Sequence, residues 1–166
     1  MAIAYSALPN SVHTMLKTSI ALCETLLRHN ETFYPIAAVD LNGDIQAVMC
    51  DAFDDVSGHG ALSATDAAAT EPNETNHFDN TTTNVTSSIG MIERLAQRVN
   101  HRTEYVNNAN SVIMYMAFIE AKHRVFTDVI VADVTLYAGA TQQYYFPVTY
   151  LPGKAVIGPA FTMHTS

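Results

Sequence analysis

The sequence predicts an α+β fold, a two-layer sandwich in which a mainly antiparallel sheet of about five strands carries two helices on one face. Three observations predict it. Two segments repeat apolar residues at helical spacing, an Asn-Gly pair separates two short apolar runs, and the last third of the chain consists of three β-branched and aromatic runs divided by short polar breaks. The resulting order is α-β-β-α-β-β-β, within a single domain spanning residues 1 to 166.

The first helix is expected over residues 11 to 29. Val12, Met15, Leu16, Ile20, Cys23, Leu26 and Leu27 fall on one stripe, and Asn10 or Ser11 can cap the start. Phe33 to Leu41 and Ile45 to Cys50 then flank Asn42-Gly43-Asp44, which reads as a β-hairpin because Asn-Gly supplies the positive φ angles of a two-residue turn. Pro35 has no N–H to give a ladder and belongs at a strand start or an edge.

Residues 51 to 83 show no sustained period and are rich in Asp, Ala, Thr, Asn and Gly, so an irregular loop is expected there. Ile89, Ile92, Leu95, Ala96 and Val99 return to helical spacing, which sets the second helix at about residues 84 to 101. Ser111 to Ala121, Phe126 to Tyr137 and Thr141 to Leu151 are the expected meander. In the middle strand Ile130, Ala132, Val134 and Leu136 share one face and are assigned to the core, while Val129, Val131, Asp133, Thr135 and Tyr137 share the other. Pro152, Gly153, Gly158 and Pro159 mark residues 152 to 166 as an irregular tail.

These elements carry a resemblance. Phe33-Tyr34-Pro35-Ile36-Ala37-Ala38 ahead of a Gly-Asp turn, a second helix containing Glu93-Arg94-Leu95, then Thr127-Asp128-Val129-Ile130 and Tyr145-Phe146-Pro147, resemble a group of small uncharacterised bacterial proteins, some carried on mobile integron gene cassettes. The resemblance implies the same α+β order and supplies no activity and no catalytic residue.

Composition excludes several classes. Eight Lys plus Arg against sixteen Asp plus Glu give a net charge of −8, which repels nucleic acid and anionic membranes. Arg94, Arg98 and Arg102 are the one aligned basic row, read as a solvated helix face. No stretch approaches the roughly 18 apolar residues of a membrane span, and residues 1 to 9 lack the basic start of a signal peptide, so a cytoplasmic protein is expected. On that footing the Asn-x-Ser/Thr sequons at Asn30, Asn73, Asn80 and Asn84 have no consequence. Cys23 and Cys50 lie in apolar runs without a partner spacing and are expected to be buried small hydrophobes.

No catalytic motif is present. The seven glycines are dispersed, excluding a phosphate-binding loop, and no His stands beside a Gly-x-Ser-x-Gly elbow. No cofactor is expected. Asp51, Asp54, Asp55 and His59, with His77 and Asp79, hold groups that ligate metals, but their spacing fits neither an EF-hand nor a zincin, so solvated turns are the expectation.

Aromatic residues point instead to association. Tyr115, Tyr137, Tyr144, Tyr145 and Tyr150 occupy both strand parities, and one helical layer hides only one sheet face. The first functional expectation is therefore a non-enzymatic interaction protein, homodimeric through its sheet face or an edge strand. The second is a small-molecule binder or enzyme with a pocket between the open sheet face and the 51 to 83 loop, in which Asp51, Asp54, Asp55, His59, His77 and Asp133 orient the ligand.

Overall fold

The computed structural model describes residues 3–50, 80–121 and 125–163. Its elements are α1 (Asn10–Leu27), β1 (Ile36–Leu41), β2 (Asp44–Met49), α2 (Asn80–Thr103), β3 (Asn110–Ala121), β4 (Val125–Thr135), β5 (Thr141–Leu151) and β6 (Lys154–Ile157), preceded by a 3-10 turn at Tyr5–Ala7. The expected α+β class and element order are present, with one strand more than expected. All neighbouring strands pair antiparallel, in the order β2-β1-β3-β4-β5-β6.

The extra strand corrects the reading of residues 152 to 166 as an irregular tail. Pro152 presets its own φ and Gly153 takes a φ of 72°, so the chain reverses in two residues and Leu151 pairs with Lys154. Beyond β6 the chain follows β5 further. Gly158 donates to the Pro147 carbonyl at 2.8 Å, and Phe161 exchanges two backbone bonds of 2.9 Å with Tyr145. The Asn-Gly turn between β1 and β2 forms as expected, with φ values of 59° at Asn42 and 94° at Gly43. Helix α2 starts at Asn80, so the last four residues of the expected 51 to 83 loop are helical.

The placement of α2 is a second correction. The two helices do not share a face. Val12, Met15, Leu16, Cys23 and Leu27 of α1 bury themselves with Ile36, Ala38, Val112, Met114, Ile130, Ala132, Tyr144 and Phe146. Leu95 and Val99 of α2 bury themselves with Ala37, Val39, Val48 and Ile113. The pairings Ile36 to Met114, Met114 to Ala132 and Ala132 to Tyr144 run straight across one face, and Val48 to Ala37 to Ile113 runs across the other. Successive side chains of a strand point to opposite faces, so α1 and α2 lie on opposite sides of the sheet.

The physical reason lies in β1, where residues 36 to 40 are all buried. A strand apolar in both directions needs cover on both sides. Helix α1 packs against β1, β3 and β6, so the sheet curls around it, whereas the main contacts of α2 among the described residues are with β1, β2 and β3. Each fully buried Leu, Val or Met side chain contributes about 1.5–3 kcal/mol. A third, smaller cluster therefore occupies the rest of the α2 side: Val129, Val131 and Tyr145 with Tyr115, Ala117 and Ile119 against them.

Candidate functional site

Side-chain alternation sets Asp133 of β4 on the α2 side of the sheet, between Ile113 of β3 and Gln143 of β5 in the ladder. The next rung is Tyr115, Val131 and Tyr145. Four polar side chains thus meet at the border of the third apolar cluster. The Tyr145 hydroxyl donates to Gln143 Oε1 at 2.7 Å. Burial raises the pKa of Asp133 above the ordinary carboxylate value, against the opposing effect of hydrogen bonds from Gln143 and Tyr115. One carboxyl oxygen, Oδ1, is buried without a hydrogen-bond partner among the described residues. An uncompensated buried acceptor of this kind costs about 1–3 kcal/mol, so its retention calls for an explanation.

The tyrosines respond to the same surroundings. Tyr115 is shifted upward by burial and then by the Asp133 carboxylate, to which its hydroxyl donates. Tyr145 is shifted upward by burial and, more weakly, by Asp133. Its ring stacks on Phe161, centroids 5.6 Å apart with planes 28° from parallel, so the chain's last described segment completes this side of the sheet.

Of the residues expected to orient a ligand, Asp133 stands in this cluster, while Asp51, Asp54, Asp55, His59 and His77 lie outside the described residues. The five tyrosines expected at an interface separate. Tyr115 and Tyr145 flank Asp133. Tyr144 is a correction: its accessibility is 0%, it lies in the α1 core, and its hydroxyl donates to the Ile3 carbonyl at 2.8 Å, so it has no surface to offer a partner. Tyr137 is exposed just past β4, and Tyr150 is half-exposed with its hydroxyl 3.3 Å from the Glu31 carbonyl. Gln143 and Phe161 were not singled out from the sequence. Gln143 was within reach, because a turn centred near residue 138 sets it opposite Asp133, whereas Phe161 is brought in only by the unexpected β6.

The arginine row lies at the surface, with Arg102 exposed and Arg94 and Arg98 half-buried, and it also fastens α2 to β2: Arg98 donates to the Met49 carbonyl at 2.6 Å and Arg102 reaches Gln46 Oε1 at 3.4 Å. Cys23 is fully buried and its thiol is pushed up to about 12 by burial, as suits an inert core residue. Cys50 is half-buried rather than buried, its thiol 3.7 Å from the Met91 carbonyl.

Other chemistry is sparse. Among the described residues no three His, Cys, Asp or Glu side chains converge to hold a metal ion. A hollow of about 600 Å³ is lined by Gln97, Asn100, His101 and Thr103 of α2 and by Glu104 just past its end, with no sheet residue among them. No described helix is long and apolar enough to cross a membrane. No known protein family, curated protein or solved structure matches this chain.

Proposed function

We propose that the chain binds a small molecule on the α2 side of its sheet, with Asp133 as the group that orients it. The observation that carries this reading is the buried Oδ1, an acceptor without a partner among the described residues, beside the apolar wall of Val131, Tyr115 and Tyr145. Apolar surface with a few converging polar groups is the usual composition of a ligand site, and titratable groups with shifted pKa values concentrate in such sites. Tyr115 and Gln143 hold the carboxyl in place, and Tyr145 in turn fixes Gln143. Screening a metabolite library by thermal shift tests the reading. Ligands that raise the melting temperature of the wild type and leave that of an Asp133→Asn variant unchanged support it, and a library without any Asp133-dependent binder counts against it.

A second reading has separate support. The pairing of β1 with β3 covers Asn110 to Met114, β3 runs on along β4 to Ala121, and Phe118 in this stretch is 65% exposed. A strand that outruns one neighbour and carries an exposed aromatic ring favours homodimerisation by strand pairing. Light scattering at micromolar concentration gives a dimer on this reading, and Phe118→Asp returns it to a monomer. A wild-type monomer removes it.

A further inference from the structure

The hydrogen-bond directions around Asp133 define what is missing there. Tyr145 directs its only hydroxyl proton to Gln143 Oε1. The Tyr115 hydroxyl proton and one of the two Gln143 amide protons are directed to the Asp133 carboxyl. A tyrosine whose proton is engaged can only accept, so the hydrogen-bonding capacity left in this corner includes the hydroxyl oxygens of Tyr115 and Tyr145 and, above all, Asp133 Oδ1. All three are acceptors. The groups that act on Asp133 are both neutral, so nothing among them offsets a carboxylate charge in a partly desolvated position. The remainder of the wall is apolar or aromatic: Val129 and Val131 are buried, Ala117 and Ile119 pack beside them, and the Tyr145 and Phe161 rings stack.

Resting on the ligand-binding reading above, we infer that the ligand is an organic ammonium, a protonated amine carried on an apolar body. The ammonium brings the protons that the three acceptors lack and the positive charge that Asp133 lacks, while its apolar portion lies against Val131 and the aromatic rings. A carboxylate or phosphate ligand would find one donor, the second proton of Gln143 Nε2, and would have to sit beside the Asp133 carboxylate, a charge of its own sign. A neutral alcohol would bring one proton and no charge, giving up the charge-assisted bond, which is about twice as strong as a neutral one.

Calorimetric titration with benzylammonium, benzyl alcohol and benzoate, against wild type and Asp133→Asn, tests this. Losing a charge-assisted bond corresponds to about a tenfold or greater weakening. Benzylammonium should bind wild type at least about tenfold more tightly than benzyl alcohol, and Asp133→Asn should remove that preference. The wild-type comparison stands whether or not the variant folds. If benzyl alcohol or benzoate binds as well as benzylammonium and still depends on Asp133, the ammonium class is wrong and the site survives. If none of the three binds wild type, the ammonium class is overturned; a crystal structure then showing Oδ1 bonded only to an ordered water would remove the ligand-binding reading too.

Discussion

Ala37 and Ala38 are neighbours in β1, yet they belong to different cores: Ala38 is buried beneath α1 and Ala37 beneath α2, with the thickness of the sheet between them. This one peptide marks the plane on either side of which the protein's two main apolar masses form. Each mass has its own helix and its own buried leucine, Leu16 on one side and Leu95 on the other, both at 0% accessibility.

The two cores should accordingly fail independently. Leu16→Ala and Leu95→Ala are each expected to cost about 2–5 kcal/mol in urea unfolding. The double variant should cost their sum to within about 0.5 kcal/mol, because the sites share no partners. A large departure from additivity would show that the cores are coupled through the sheet.

Asp133 should make stability fall with rising pH. Its folded pKa is raised above 3.8, first by burial, so the folded state holds its proton more tightly than the unfolded chain does. The resulting stabilisation is fully present below the unfolded value and is lost as pH rises through the folded value. In Asp133→Asn this dependence disappears, and the variant should be the more stable protein near neutral pH. Urea midpoints measured from about pH 3 to pH 8 for both proteins give the difference curve; a flat difference contradicts the expectation.

Asp40 should act in the opposite sense. It is 4% exposed and accepts from the Gly43 amide at 2.6 Å and from Asn110 Nδ2 at 3.4 Å. Burial alone would raise its pKa, but bonds from Ser11, Gly43 and Asn110 outweigh that and hold it below 3.8. Its stabilisation is present above the unfolded value and lost as pH falls through the folded one. Asp40→Ala is expected to cost about 1–3 kcal/mol at neutral pH and less in acid, read from the same denaturation series.

Gly158 is expected to resist substitution for steric reasons. A Cβ there would lie 2.8 Å from Cγ of Pro147, a ring atom with little freedom to move. Gly158→Ala should cost about 1–3 kcal/mol. It should also weaken the stacking of Phe161 on Tyr145, seen as a change in tyrosine near-ultraviolet circular dichroism. A Cβ at Gly153 would meet no atom of the described residues within 4 Å, and the obstacle is instead a φ of 72°, so Gly153→Ala should cost about 1–2 kcal/mol through backbone strain.

Much of this architecture is legible in the residues. Both helices, the Asn42-Gly43 hairpin and the three long strands announce themselves by period and turn chemistry. The side of the sheet that α2 would take is also encoded, in the unbroken apolar run Ile36-Ala37-Ala38-Val39, because only a strand covered twice needs apolar residues at both parities. The same argument, applied to the tyrosines, pointed outward to a partner when part of the second cover is α2 itself. What could not be read is the return of the tail, since Pro152-Gly153 punctuates a loop and a hairpin alike, and only the pairing with β5 distinguishes them. The candidate site was half visible: Asp133 was evident as a charge set among apolar residues of its strand, whereas its relation to Gln143 and Tyr145 depends on register, which spacing alone does not fix.

The ties that hold the first described residues span almost the whole chain. The Ile3 amide donates to Gln142 Oε1 at 3.2 Å, the Ile3 carbonyl accepts from Tyr144 at 2.8 Å, and the Tyr5 ring meets Tyr144 and Phe146 edge-on at 5.5 and 6.2 Å. During synthesis on a ribosome these residues emerge well before β5 does. Helix α1 can coil early, but the seat that fixes its leading end does not exist until β5 has been made, so maturation should be a late and slow step, with the greasy stripe of α1 in the care of chaperones until then.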